Sequence, residues 1–178
     1  MKIFLSIIFS ITLLSFSSAQ FKSFGLVTGG GVTVVDVAKV INPNVLTDWN
    51  NYSLVFKGFA EYQLKNGTLI GLEAGRNRLY YWQYQAPGNS WYNWRTEWTT
   101  NAVLYFLQPI GERFFIKGGA GIHIFYKGTT FGLLAEAGTS FWLSESIRIP
   151  LALRVEPVFG TETPIAFNVA TGIKFNLK

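Results

Sequence analysis

Residues 94–106 read WRTEWTTNAVLYF and residues 114–126 read FFIKGGAGIHIFY, and the spacing of their side chains decides the fold. In the first run Trp94, Thr96, Trp98, Thr100, Ala102, Leu104 and Phe106 alternate with Arg95, Glu97, Thr99, Asn101, Val103 and Tyr105. In the second, Phe114, Ile116, Gly118, Ala120, Ile122, Ile124 and Tyr126 alternate with Phe115, Lys117, Gly119, Gly121, His123 and Phe125. Successive side chains of an extended chain point to opposite faces, so a period of two over a dozen residues predicts a strand with two unlike faces. The alternation returns over 131–143, 147–159, 165–177 and 52–64, and less regularly over 68–82 and 24–35. No stretch after residue 20 sustains an apolar stripe at helical spacing. Eight strands, an even count, suit a closed antiparallel up-and-down barrel with both termini at one end.

The connections alternate as well. A long segment, Asp36 to Asn51, is followed by a tight Lys65-Asn66-Gly67 turn, then by a long Gln83–Asn93 loop carrying Pro87-Gly88-Asn89. Pro109–Arg113, Lys127–Thr130, Ser144–Ser146 and Gly160–Pro164 complete the set. Except at Lys127–Thr130, the odd-numbered connections are longer than the even ones beside them, as in membrane barrels with short turns at one rim and long loops at the other. Pro150 and Pro157 lie in the seventh run; a central strand cannot lose a donor, so both are expected near strand ends or at bulges.

Alternation alone also fits a soluble barrel with an apolar interior, and three observations favour the inverted arrangement. Eight strands leave a lumen only wide enough for side chains to fill, and the large apolar residues that recur on one face could not fit inside. The other face is rich in small residues such as Gly119, Gly121, Gly132, Gly138, Ser140 and Gly172, which suit a crowded lumen. The runs reach about 12–14 residues, against about 5–6 in soluble strands and about 9–11 needed to cross a bilayer. Aromatics also gather at the run ends (Trp94, Trp98, Tyr126, Phe131, Phe159, Phe167, Phe175), like the interfacial girdles of barrels in lipid. The apolar face is read as the outside, and the fold class as all-β, an eight-stranded antiparallel transmembrane β-barrel.

Composition agrees. The 178 residues are 49% hydrophobic and 17% aromatic but only 14% charged, against about 25% charged in soluble domains. The absence of cysteine excludes disulfides, thiolate metal sites, a thiol nucleophile and a lipidated N-terminal Cys. At the N-terminus Lys2 precedes an apolar run from Ile3 to Phe16 and then Ser17-Ser18-Ala19. A basic start, an apolar run shorter than the ~20 residues of a span, and small residues at a cleavage position predict a secretory signal over 1–19. The barrel domain is then 20–178, exported without cysteine, which points to a Gram-negative envelope.

In pattern and architecture, though by no diagnostic motif, the mature chain resembles the small eight-stranded bacterial outer-membrane barrels of the OmpA/OmpX type, a porin-like group. The resemblance implies a cell outer membrane location, contact with its lipid and lipopolysaccharide, and insertion by the barrel-assembly machinery. Such barrels close on a strand with a terminal aromatic; here Phe175 stands three residues from the end, before Asn176, Leu177 and Lys178.

Parity places Lys57, Arg95, Lys117, Arg148, Arg154 and Lys174 on the lumen face with Glu61, Glu73, Glu97, Glu136, Glu156 and His123. Near balance of charge in a narrow tube predicts mutual pairing, because an unpaired buried charge is very costly. Simple registers put Glu136 opposite Arg154, and Glu97 opposite or diagonal to His123. A salt-bridged, filled lumen is preferred over an ion-conducting one. Outer-membrane lipid A deacylases and palmitoyltransferases resemble the chain in size, but the deacylases' His and Ser two residues apart are missing: His123 is followed by Ile124 and Phe125. Ser53 and Ser140 lack supporting spacing, so no catalytic residue is assigned. With one His, no Cys, and Asp only at Asp36 and Asp48, no metal or cofactor site is assigned either. The Thr28-Gly29-Gly30-Gly31 and Gly118-Gly119-Ala120-Gly121 runs lack the Lys and helix of a phosphate loop and are read as strand glycines.

Near the rim with the long loops, Arg76, Arg78 and Arg95 stand among Tyr80, Tyr81, Trp82, Trp91, Tyr92 and Trp94. Arginine beside interfacial aromatics suits the phosphates of outer-leaflet lipid, with Arg76, Arg78, Trp82, Trp91 and Trp94 as the contact set, or simple anchoring of the rim. The dispersed basic residues form no stripe, so nucleic acid is not a partner. The expectation is a filled barrel, not an enzyme, with a structural or surface-binding role through its external loops. A small pore for ions or solutes is the alternative, and a lipid-modifying enzyme the third reading.

Overall fold

The computed structural model describes residues 20–34, 52–83, 93–126, 128–159 and 164–177, with their side chains except those of 80–83 and 93–95. It is a closed barrel in which each strand pairs with its sequence neighbours and the last with the first: β1 (Gln20–Val34), β2 (Tyr52–Gln63), β3 (Leu69–Gln83), β4 (Asn93–Ile110), β5 (Phe114–Phe125), β6 (Gly128–Ser144), β7 (Ile147–Pro157) and β8 (Ile165–Asn176). All eight pairings are antiparallel. The expected signal over 1–19, the first loop with Asp36 and Asp48, Trp91 and most of the Gln83–Asn93 loop lie outside the described residues, as do the side chains of Trp82, Trp94 and Arg95.

The strands depart from the sequence reading at their ends. β1 starts at Gln20 rather than Phe24, and β4 runs on through Pro109. β6 takes in Thr129 and Thr130, which the sequence reading gave to a turn. β7 stops at Pro157; Val158 makes only an isolated bridge to Gly132, and Phe159 lies beyond the strand. Pro157 thus caps a strand. Pro150 sits where the β7–β8 ladder is interrupted, between the pairs Arg148–Lys174 and Leu151–Thr171, so its missing N–H removes no bond. The Lys65-Asn66-Gly67 turn closes with Gly67 N–H donating to the Leu64 carbonyl (3.0 Å), and Gly67 supplies the positive φ of 85° that the turn requires.

A path through directly opposed residues runs Phe114, Thr139, Leu151, Thr171, Thr28, Phe56, Arg76, Thr100 and re-enters β5 at Ile124. The strands are therefore staggered by ten residues around the circumference, and such a stagger makes them tilt steeply to the barrel axis. Tilt and tight curvature crowd the concave side. A Cβ on Gly121 would come within 2.1 Å of the Ala102 carbonyl oxygen, and one on Gly172 within 2.1 Å of that of Leu26. Both positions face inward, and only glycine lets the neighbouring backbone approach so closely.

The alternation resolves in the inverted sense. Leu26, Leu72, Leu104, Phe114 and Leu153 are exposed on the outer surface, whereas Lys57, Glu73, His123, Arg154 and Glu156 are buried within. The outer aromatics form two groups. Phe21, Phe24, Tyr62 and Phe175 pack together near the turns, and Phe56–Trp98 and Phe131–Phe159 pair nearer the loops. Leu153, 69% exposed, lies between them. Leu153→Arg is expected to destabilise the barrel by about 2–4 kcal/mol in a lipid bilayer, the cost of a guanidinium at mid-depth on a lipid face. On a water-facing surface the same change would stay within about 0.5 kcal/mol. Urea unfolding in phospholipid vesicles separates the two.

Candidate functional site

The lumen is crossed by a lattice of three cations and three carboxylates. Glu136 on β6 stands directly opposite Lys117 on β5 and Arg154 on β7, which makes a lateral row of alternating charge. From the other wall, Lys57 on β2 and Glu73 on β3 reach across. Lys57 Nζ lies 2.9 Å from Glu73 Oε1 and 2.6 Å from Glu156 Oε1, and Lys117 Nζ lies 2.9 Å from Glu73 Oε2 and 3.1 Å from Glu136 Oε2. Arg154 pairs with Glu73, with Glu136 at 2.9 Å and with Glu156 at 2.9 Å. β3 and β7 are four strands apart in a barrel of eight, so the Arg154–Glu73 contact spans the full width. Glu73 takes all three cations and is the hub.

Six charges are tolerable here because each is neutralised and hydrogen-bonded. Desolvating a single ion costs several kcal/mol, and the low-dielectric interior returns that only when partners are close and well aligned. Alternation on each strand and a stagger that brings the strands into register at this height supply the alignment.

A second, smaller cluster lies toward the turns. Glu61 pairs with Lys174, accepts from Ser23 Oγ at 2.6 Å and accepts from the Tyr105 hydroxyl at 3.0 Å. The Tyr105 ring also lies under Lys117 Nζ, 4.3 Å from the ring centroid, and so links the two clusters. Below it the barrel opens into a vestibule of about 490 Å³ whose inner end is formed by Tyr105, Lys117 and Glu136.

Toward the loops the lattice meets neutral polar residues. Asn77 Nδ2 donates to Glu156 Oε2 at 2.8 Å. His123 is fully buried, with its ring against Gly132, and neither ring nitrogen has a partner among the described residues. The register places Asn101, not Glu97, opposite His123. This corrects the expected Glu97–His123 pairing: Glu97 sits four residues nearer the loops, where its carboxylate accepts from the Tyr126 backbone N–H. The simple register failed because β4 is longer than its periodic core. Ser53 Oγ, also buried, has no partner among the described residues, and Ser140 Oγ bonds the Arg113 carbonyl at 3.4 Å, so neither serine is joined to His123. Leu79, Val158 and Ala166, with Phe125 against them, form an apolar layer beyond His123. No group of three His, Asp or Glu among the described residues is arranged to hold a metal.

Of the other residues singled out from the sequence, Arg148 stands at the turn-side mouth over the Trp142 ring, 3.4 Å from its centroid. Arg78 lies over the Tyr52 ring at 3.4 Å, and Arg76, one pleat along the same outer face, is exposed. Ser23, Asn77 and Tyr105 take part in the network but were not singled out. Alternation places Asn77 and Tyr105 on the lumen face, whereas Ser23 precedes the run at 24–35, and neutral side chains carry no sequence signal of pairing.

No family model and no curated protein matches the chain. Among solved structures, the crystal structure of neisserial surface protein A is similar over 89% of this chain and 99% of that one, with a TM-score of 0.52 and 11% identity. The two share a fold, a closed eight-stranded antiparallel up-and-down β-barrel. A de novo designed transmembrane barrel (TM-score 0.46, 13% identity, 88% of this chain and 95% of that one) and the Yersinia pestis attachment invasion locus protein Ail (0.45, 10%, 88% and 100%) are also similar.

The barrel's stability is expected to hang on Glu73. Glu73→Gln keeps the shape but leaves three buried cations facing two carboxylates, and should cost about 3–5 kcal/mol. A matched change on the exposed turn, Lys65→Gln, should cost no more than about 0.5 kcal/mol. The temperature at which the folded band disappears in SDS electrophoresis reports both.

Proposed function

We propose that this protein is exported to the cell outer membrane, is inserted there by the barrel-assembly machinery, and serves as a rigid, non-conducting mount for a binding or structural surface formed by its loops. The observation that carries the reading is the lattice around Glu73, which ties opposite walls together and occupies the lumen from side to side. A tube filled this way has no use as a passage and every use as a stiff support.

The outer surface supports the membrane placement. On β6, Phe131 and Phe141 are both about half exposed and face the same way ten residues apart. At about 3.3 Å per residue and a tilt near 40°, they are separated by about 25 Å along the barrel axis, the height of an outer-membrane apolar band. At the loop-side edge of that band Arg76 and Arg78 project outward with no carboxylate within 4 Å among the described residues. Guanidinium groups at this depth suit the phosphates of lipopolysaccharide, with Tyr52 stacking under Arg78 to hold it. Among the described residues neither an acid nor a nucleophile is joined to the buried His123, and the role proposed is a non-enzymatic one.

Three measurements test this. The unboiled protein from an outer-membrane fraction should migrate faster in SDS electrophoresis than the boiled one; a protein recovered in the soluble periplasm with no such shift would sink the membrane placement. Purified barrels in a planar bilayer should give no steady conductance, and reproducible unitary currents would instead establish the pore. Arg76→Gln with Arg78→Gln should lower the lipopolysaccharide that copurifies with each barrel at least several-fold while leaving the mobility shift intact.

A further inference from the structure

The vestibule at the turn-side mouth carries a set of hydrogen-bond donors that no described residue satisfies. The Arg148 Nε and the Asn176 Nδ2 are buried and have no partner among the described residues, and both residues line the cavity. Lys22 lines it too and forms no ion pair within 4 Å among the described residues. These three are neighbours on one wall. Ser23 of β1 is opposite Asn176 of β8, and two residues along β8 Lys174 is opposite Arg148 of β7.

Local irregularities set the donors there. β1 shifts register between Phe21 and Ser23, and this bulge puts Lys22 outside the regular alternation and at the mouth. β6 shifts register between Trp142 and Ser144, beside the Trp142 ring that backs the Arg148 guanidinium. Stacking on an aromatic face fixes the guanidinium plane while leaving its edge N–H groups free to donate.

The nearby acids leave this wall electropositive. Glu61 is taken by Lys174, and Glu136 by Lys117 and Arg154. Glu112, exposed on the β4–β5 turn, faces Arg148 without coming within 4 Å of it. Opposite the donors the wall is apolar, formed by Phe59, Leu69, Leu107 and Phe115. A cavity of about 490 Å³ falls within the usual range for small-molecule sites, which are mostly apolar with a few convergent polar groups.

We propose that this vestibule is a binding site for a small organic anion, a carboxylate on an aromatic or short acyl body. Its oxygens accept from Arg148 Nε, Asn176 Nδ2 and Lys22 Nζ, and its apolar body lies against Phe59, Leu69 and Phe115. The inference concerns the lumen mouth and stands apart from the role proposed for the loops.

The test uses the intact, isotope-labelled barrel in phospholipid nanodiscs, titrated with 4-phenylbutyrate and with the uncharged 4-phenylbutanol while backbone NMR shifts are followed. The carboxylate should produce saturable shifts at Lys22, Arg148 and Phe115, at least tenfold tighter than the alcohol. Lys22→Gln with Arg148→Gln should abolish them while the SDS mobility shift persists, and Glu112→Gln, which removes the competing acid, should tighten binding. Equal affinity for the alcohol, shifts confined to the outer lipid-facing residues, or unchanged binding by the double variant would each overturn the assignment. A failure here with an intact mobility shift and a silent bilayer would leave the barrel's proposed role standing.

Discussion

Glu73 meeting Lys57, Lys117 and Arg154 is the contact on which the rest of the barrel depends. A closed sheet of eight strands must turn half its side chains inward, into a space that neither water nor lipid fills freely. Apolar residues there would pack, but they would leave nothing to distinguish the inward face from the outward one in a molecule whose exterior is already apolar. Charge makes the distinction. A one-residue slip of β3 against its neighbours would aim the Glu73 carboxylate at the outer apolar face and leave three cations inside with two carboxylates, so the lattice penalises the wrong register as well as rewarding the right one. On this view the network contributes less to net stability than to choosing one alignment of the eight strands.

The two halves of the lumen differ accordingly. On the turn side, charge is carried on through Glu61, Lys174 and Tyr105 to the vestibule. On the loop side it gives way within one pleat to Asn77, Asn101 and His123, and then to Leu79, Val158 and Ala166. An ion moving along the axis would have to displace a saturated lattice and then cross neutral and apolar layers. Neither is compatible with a low barrier to conduction. The lumen is polar in composition and spanned from wall to wall by its lattice, and the vestibule beneath it is a pocket.

Much of this was legible in the sequence because strand parity is a strict rule. Alternation through Trp94–Phe106 and Phe114–Tyr126 identifies the inward residues one by one, and the tilt of charge toward that face follows directly. Parity does not give height. Whether Glu97 or Asn101 meets His123 depends on how far β4 extends past its alternating core and on the register adopted by the pair, and that is a property of the closed barrel. The neutral members of the network were hidden for a related reason. Tyr105 joins two clusters only because the stagger brings Glu61 of β2 within reach of its hydroxyl, and nothing in the local sequence around either residue implies the other.

The bulges at Lys22 and Leu143 show where the alternation is deliberately broken. Both lie at the turn-side mouth, where strands are ending and a shift in register costs few ladder bonds. In mid-strand the same insertion would move every residue beyond it to the wrong face. At the rim it re-aims one or two side chains and leaves the lattice untouched. A barrel whose interior is committed to holding its own register can vary chemically only at its two rims. At the loop rim the freedom lies in the length and content of the connections. At the turn rim, where connections such as Lys65-Asn66-Gly67 are too short to carry chemistry, it lies in these bulges, and beside them stand the donors of Arg148 and Asn176 that no described residue satisfies.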